Sequence, residues 1–156
     1  MQHKTEKQLA KETLPKKNPL KIRSDMLAMD EYMRVFILPQ IPSGYKEYRD
    51  ALRETTDKAW RELYYALFTS KRERQRHLLA LKVEMSLIEV YLREVRDVCY
   101  RGKEKKRLDQ NSAKRFEVMA SNYKAVMDIV LAWIKNENDR MPTENTQRLA
   151  GLTETE

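Results

Sequence analysis

The sequence predicts an all-α protein, and three observations carry that prediction. The 156-residue chain contains three Gly and five Pro, too few for a sheet protein, which needs a turn about every 8–12 residues. The good helix formers Leu, Ala, Met, Glu, Lys and Arg dominate its composition. Apolar residues recur at spacings of three and four in four segments, the period of amphipathic helices. We therefore expect an up-down antiparallel four-helix bundle at residues 24–140, between disordered tails at 1–23 and 141–156.

The first two predicted helices are separated by a turn that contains two prolines. The first covers about residues 25–38, with Ser24 as its N-cap, and Pro39 and Pro42 end it. Its core face consists of Met26, Met29, Met33, Phe36 and Ile37. The second covers residues 45–68 and has an apolar line of Tyr48, Leu52, Ala59, Leu63, Ala66 and Leu67.

The third and fourth predicted helices have the clearest boundaries. Ser70 and Glu73 match a capping box at the start of the third, and Gly102 is a typical C-terminal stop. Its core seam is Leu78, Leu81, Met85, Ile88, Leu92, Val95 and Cys99. The fourth follows Asp109 as its cap and ends near Asn138. Its seam is Phe116, Met119, Tyr123, Val126, Val130 and Trp133.

The net charge of +7 is unevenly distributed along the chain. Residues 1–23 carry +5 and residues 141–156 carry −2, which leaves +4 for the body. Both ends are poor in apolar residues and are therefore expected to be disordered. The sequence shows no apolar leader after Met1 and no apolar run of about 18 residues. We expect a soluble, cytoplasmic protein with no membrane partner.

The residues that enzymes use are sparse, and we predict no catalytic activity, metal or cofactor. A di-iron bundle needs two Glu-x-x-His motifs, whereas Glu73 and His77 are four residues apart and His3 lies in the tail. The single Cys99 occupies a seam position, where cysteine behaves as a small hydrophobe. No Gly-rich phosphate loop or nucleophile elbow is present.

Two basic clusters indicate an anionic partner. One opens the third helix and the other follows it, so about 40 Å of helix separates them. They consist of Lys71, Arg72, Arg74 and Arg76, and of Arg101, Lys103, Lys105, Lys106 and Arg107. This spacing suits a long phosphate backbone better than a small anion, although either cluster alone is equally typical of a solvated surface. Trp60, Tyr64 and Tyr65 could stack on bases, but a packing role is favoured for them.

A second apolar line on the third helix suggests a protein partner. It consists of Leu79, Val83, Leu87 and Val90 and lies roughly opposite the core seam at about 100° per residue. Two apolar stripes on one helix indicate either a central helix or an interface between subunits. We favour the interface, and hence a homo-oligomer.

Four segments resemble one family. The Leu-Pro turn at 38–42, the start of the second helix at 48–52, the Arg/Leu-rich stretch at 72–98 and the stretch from Leu108 to Trp133-Ile134-Lys135 resemble the accessory variability determinants (Avd-like proteins) of diversity-generating retroelements. The resemblance covers about residues 25–135. Where family members commonly have a Gly-rich stretch, this chain has Ile129-Val130-Leu131-Ala132.

The resemblance implies a barrel-like homopentamer that binds a reverse transcriptase and its template RNA. Such a protein supports mutagenic cDNA synthesis without catalysing it, and cDNA is a second nucleic-acid candidate. By position, Lys71, Arg72, Arg74 and Arg76 correspond to the family's basic surface residues. Other interpretations stay open: a related four-helix protein outside retroelements, a relaxosome-type DNA-binding accessory factor, or a helical protein–protein adaptor.

Overall fold

The computed structural model describes the backbone of residues 19–155 and the side chains of residues 21–138, in both cases without 103 and 105. Within that part of the chain there is no strand, and four α-helices account for most residues. They are α1 (Pro19–Tyr32), α2 (Lys46–Phe68), α3 (Lys71–Glu94) and α4 (Gln110–Thr155). The predicted all-α class with four helices is confirmed.

Helix α1 begins six residues earlier than the sequence pattern indicates. Its first residue is Pro19, which suits a helix start because proline lacks an N–H and its φ is already helical. Ile22 is buried and extends the apolar face by one turn. Ser24 therefore lies inside α1, and its assignment as the N-cap is wrong. Residues 1–18 of the predicted basic tail lie outside the described residues.

A π-turn at Met33–Ile37 and a 3₁₀ turn at Leu38–Gln40 continue α1 to the Pro-containing loop. The π-turn adds about one residue to the helical turn and so shifts the register of the apolar face. As a result Phe36 is 42% exposed and stacks on Tyr32 instead of joining the core. The expectation that Phe36 faces the core is wrong.

The core otherwise follows the predicted seams. Helix α3 buries Leu78, Leu81, Met85, Ile88 and Leu92, and Val95 of the following π-turn is buried as well. Helix α2 contributes Leu52, Ala59, Leu63 and Ala66, and α4 contributes Met119, Val126, Ile129, Val130, Trp133 and Ile134. The remaining seam residues Tyr48, Leu67, Cys99, Phe116 and Tyr123 are half-buried around this core.

Pairs of contacts show how the helices run past one another. The Thr56 hydroxyl lies 3.8 Å from the Met33 sulfur, and the Trp60 indole N–H donates to Asp30 over 3.0 Å. Residue numbers therefore increase along α2 in the direction in which they decrease along α1, so the two helices are antiparallel. Arg74 near the start of α3 meets Glu137 of α4, and α2 packs closely along α3. These pairings are consistent with the up-down order.

The structure agrees with some of the predicted helix ends and differs from others. Asp109 caps α4 because its carboxylate accepts the Ser112 N–H and hydroxyl, each over 2.8 Å, and Gly102 adopts a φ of 70°. The capping box at Ser70 is not formed, since its side chain makes no cap hydrogen bond and Glu73 instead pairs with Arg76 at 3.0 Å. Helix α4 runs to Thr155, beyond the end expected near residue 138, and the predicted tail at 141–156 falls on this continuation.

Candidate nucleic-acid interface

The first basic cluster surrounds the short turn between α2 and α3. Phe68 ends α2, the Thr69 N–H donates to the Tyr65 carbonyl, and α3 starts at Lys71. Lys71, Arg72 and Arg76 are exposed. Arg76 forms an ion pair with Glu73 of the same turn. Three of the four predicted cations at this end are therefore accessible to a ligand.

Arg74, the fourth residue of the cluster, turns inward. Its side chain is 12% exposed, and its Nε donates to the Ala66 carbonyl over 3.0 Å. The same guanidinium contacts the Thr69 carbonyl at 3.5 Å and the Glu137 carboxylate at 3.4 Å, and lies over the Trp133 ring. Arg74 thereby satisfies carbonyls at the C-terminal end of α2 and ties them to α4. Arg74 therefore stabilises the packing of the bundle and is not part of the exposed surface.

A row of three aromatic rings on α2 ends at Phe68, three residues before this cluster begins. Trp60, Tyr64 and Phe68 stack at centroid distances of 6.1 and 6.0 Å, because residues four apart share a helix face. Exposure rises along the row, to 40% at Tyr64 and 75% at Phe68. The Arg23 guanidinium lies 5.6 Å from the centre of the Tyr64 ring. We call Trp60, Tyr64 and Phe68 the aromatic row.

The aromatic residues considered from the sequence have different surroundings. Trp60 is half-buried and anchored by Asp30, so the packing role holds for it. Tyr65 is exposed but contacts the His77 ring at 4.9 Å. Phe68 was not among the sequence-derived candidates, although its spacing of four from Tyr64 and eight from Trp60 is the signal that identifies it.

The second basic cluster lies at the opposite end of α3, and two of its five cations, Arg101 and Lys106, form ion pairs with acidic neighbours. Arg101 donates to the Lys106 carbonyl over 3.1 Å and lies 3.6 Å from Asp97, and Lys106 pairs with Glu104. Arg96 also bonds Asp97, and this hydrogen bond lowers the pKa of the Asp97 carboxyl. Lys103 and Lys105 lie outside the described residues.

An open cavity of about 370 Å³ adjoins this second cluster. Three arginines line it, Arg96, Arg101 and Arg107, together with Leu108 and Ala113. Arg107 is exposed, whereas the other two cations already pair with Asp97. The cavity therefore offers less free positive charge than its composition indicates.

The second apolar line of α3 lies on the surface of the chain. Val83 is 58% exposed, and Leu79, Leu87 and Val90 are exposed as well. Helix α2 contacts one flank of α3, through His77 and Glu62, and α4 contacts the other, through Glu89 and Tyr123. Of the two interpretations of this line, a helix central to the monomer does not apply. We call Leu79, Val83, Leu87 and Val90 the outer face of α3.

His77 and Cys99, the two residues considered for metal binding and catalysis, are both half-buried. The Nδ1 atom of His77 lies 2.7 Å from a carboxylate oxygen of Glu62. His77 therefore pairs with Glu62 and does not form a metal site with Glu73. Cys99 is half-buried, and its burial raises the pKa of the thiol, which disfavours the reactive thiolate. Across the part of the chain with described side chains, no three His, Cys, Asp or Glu residues cluster to form a metal site.

A groove of about 220 Å³ runs between α3 and α4. Leu92, Phe116 and Met119 supply much of its wall. The Tyr123 hydroxyl at its edge donates to Glu89 over 3.4 Å, and burial followed by the nearby Glu89 charge raises the pKa of Tyr123. Tyr123 thus remains protonated and neutral at physiological pH.

Comparisons with known proteins leave the identity of the chain open. Searches against protein-family models, curated proteins and solved structures found no match to it. None of the helices within the described residues is both long enough and apolar enough to cross a membrane. The Avd-like resemblance therefore stays a prediction.

Proposed function

We propose that this chain is a non-enzymatic, cytoplasmic RNA-binding protein that assists a reverse transcriptase during cDNA synthesis. The observation that carries the RNA-binding part is that two exposed rings, Tyr64 and Phe68, end α2 directly before three exposed cations. Phe68 and Lys71 are separated only by Thr69 and Ser70. Stacking surfaces next to basic residues are typical of sites that bind single-stranded nucleic acid.

The two components of this site have separate roles. Phe68 is the most exposed ring of the aromatic row and ends it, with one face toward Tyr64, so unpaired bases can stack on its other face with little sequence preference. Lys71 and Arg72 supply charge for the phosphates, which makes binding dependent on salt. A duplex keeps its bases stacked on one another, so the aromatic row favours single-stranded RNA or cDNA over duplex DNA.

The segment that precedes Pro19 is basic. Residues 1–18 contain five Lys and two Glu, a net +3, and they join the chain at Pro19. Pro19 lies one helical turn before Arg23, which contacts Tyr64 of the aromatic row. The segment is therefore attached where the proposed RNA site lies.

The reverse transcriptase partner and the number of subunits rest on the family resemblance. The exposed outer face of α3 supports self-association of some kind, in which up-down bundles contact one another through this helix. Changing Leu87→Glu would bury a charge in such a contact, so the variant should be monomeric by light scattering. Nothing in the described residues favours five copies. A reverse transcriptase gene beside the gene for this chain would support the enzyme partner.

The test of RNA binding uses fluorescence anisotropy with single-stranded RNA. We expect Phe68→Ala to weaken binding about tenfold, since one stacked base contributes roughly 1–3 kcal/mol. Phe36→Ala is the matched control, because Phe36 is also exposed and contacts a tyrosine ring, at 4.7 Å, but lies in the π-turn after α1, away from the site. Equal effects of the two substitutions, or no RNA binding by the wild type, would refute the proposal.

Two other functions predict different outcomes in the same assay. A relaxosome-type factor should prefer duplex DNA over RNA in direct competition. A protein–protein adaptor, which the exposed outer face of α3 also suits, should bind no nucleic acid at physiological salt.

A further inference from the structure

The outer face of α3 has oppositely charged ends. Arg76 precedes its four apolar residues and Glu94 follows them, and both side chains are exposed. They are 18 residues apart, which is five turns of helix, so they lie on the same line of the helix surface at a separation of about 27 Å. The outer face of α3 thus has a cation at one end, apolar residues in the middle and an anion at the other end.

These residues are arranged symmetrically about position 85. Arg76 and Glu94 each lie nine residues from it, and Val83 and Leu87 each lie two. Leu79 and Val90 lie six and five residues from it. A second α3 helix, placed antiparallel across this point, would set Arg76 opposite Glu94 at both ends. The apolar residues would then meet one another in the middle.

The flank of the stripe toward α4 follows the same symmetry. Lys82 lies three residues before position 85 and Glu89 four residues after it, and both point to the same side of the helix at about 100° per residue. In an antiparallel pair, equal flanks meet, so Lys82 of one copy would approach Glu89 of the other. A parallel pair would instead place Arg76 beside Arg76 and Glu94 beside Glu94 on the central line of the interface.

We infer that the outer face of α3 is a self-complementary interface, on which a second copy of this chain docks antiparallel about a two-fold axis near position 85. Such an isologous contact uses the same surface on both subunits and closes at two copies, whereas a ring of five needs two different surfaces. The inference thus departs from the pentamer that the family resemblance implies. It does not depend on whether the chain binds RNA.

Arg76 and Glu94 stay exposed despite their intramolecular contacts, whereas Glu89 already pairs with Arg93 at 2.6 Å and accepts the Tyr123 hydroxyl. Arg76 pairs with Glu73 of its own turn, and both side chains are about half or more exposed. Glu94 neighbours the Tyr48 hydroxyl of α2. Exposed ion pairs contribute at most about 1 kcal/mol each, so the apolar centre supplies most of the affinity. The charges select the antiparallel orientation.

The test is a charge exchange on the full chain, followed by sedimentation or light scattering. The wild type should have twice the 18.7 kDa mass of one chain. Arg76→Glu and Glu94→Arg should each weaken self-association at least tenfold, because each places like charges opposite one another. Mixing these two variants should restore a dimer, because the introduced glutamate of the first then faces the introduced arginine of the second. At the other end of the stripe, the native Glu94 of the first variant faces the native Arg76 of the second.

The control variant is Lys124→Glu, which changes an exposed lysine on α4 away from the outer face and should leave the dimer intact. Circular dichroism verifies that each variant keeps its helix content. A monomeric wild type, a wild type of five copies, or a mixture that fails to associate would each overturn the inference. The double variant Arg76→Glu/Glu94→Arg should dimerise as the wild type does, and its failure would contradict the antiparallel orientation.

Discussion

The two ends of α3 carry similar numbers of cations but use them differently. At the α2–α3 turn, Lys71 and Arg72 are exposed beside the aromatic row. At the α3–α4 loop, Arg96 and Arg101 share Asp97, and Lys106 pairs with Glu104. The difference arises because two carboxylates, Asp97 and Glu104, pair with cations of the second stretch, whereas Glu73 in the first pairs with Arg76 and leaves Lys71 and Arg72 exposed. A count of basic residues therefore overestimates the charge that a ligand can reach.

The largest expected effect is on stability, and it distinguishes Arg74 from the other cations at the α2–α3 turn. Arg74→Ala should lower the free energy of unfolding by about 3 kcal/mol, because it leaves the buried Glu137 carboxylate without its cation. Arg72→Ala, the control on the same turn, should change it by less than about 0.5 kcal/mol. Urea unfolding measures both values, and equal losses would mean that Arg74 is not a structural residue.

The next effect tests the accessible charge at the α2–α3 turn. Replacing both Lys71 and Arg72 by Ala should weaken binding of single-stranded RNA roughly fivefold to thirtyfold, at about 0.5–1 kcal/mol per exposed contact. The slope of log affinity against log salt should fall by about 1.4, since each single-strand phosphate contact contributes about 0.7. An unchanged salt slope would place the RNA elsewhere on the protein.

A smaller effect is expected from the matched change at the other end. Replacing Arg101 and Lys106 by Ala should weaken RNA binding by less than about threefold, because both side chains already form ion pairs with acidic neighbours. The same anisotropy assay measures it. A loss as large as that at the α2–α3 turn would remove the contrast between the ends and favour an RNA that spans α3.

The smallest effect concerns the cap of α4 beside the α3–α4 loop. Hydrogen bonds from Ser112 lower the pKa of the Asp109 carboxyl below its ordinary value of 3.8. A lowered pKa stabilises the fold above the unfolded-state value, and this stabilisation is lost as the pH falls through the folded-state value.

Asp109→Asn keeps a neutral cap and supplies the comparison. The wild type should have the higher Tm at pH 7, and the gap between the two Tm values should close below about pH 4. Thermal unfolding followed by circular dichroism measures the gap. A gap that persists at low pH would mean that the Asp109 charge does not stabilise α4.

Periodicity predicted the core because burial on a helix repeats every three to four residues whatever the partner is. The seam of α3 from Leu78 to Val95 is buried throughout. Phe36 departs from its pattern because the π-turn at Met33–Ile37 changes the number of residues per turn. Glu73 forms an ion pair rather than a capping box because Arg76 lies one turn away. Such local competition is not visible in a motif of two residues.

The candidate site could be predicted only in part. The sequence places Lys71, Arg72, Arg74 and Arg76 in one cluster, but it contains no sign that one of them is internal. Glu137, which holds Arg74, is 63 residues away along the chain. The spacing of Phe68 places it on the same helix face as Tyr64, but its exposure could not be assigned from the sequence, because an aromatic at the end of a helix is equally typical of core and surface. Its 75% exposure depends on where α2 ends relative to the other helices.

The sequence alone determined the helical class, four helices, the inner seams and the existence of an outer face on α3. These features depend on residues three or four apart on one helix, whose relative directions are set by the helical period. Tertiary structure decided which cations remain free, since that depends on the groups that other helices bring within about 4 Å. It decided for the same reason that Arg74 joins the bundle while Lys71 and Arg72 face solvent.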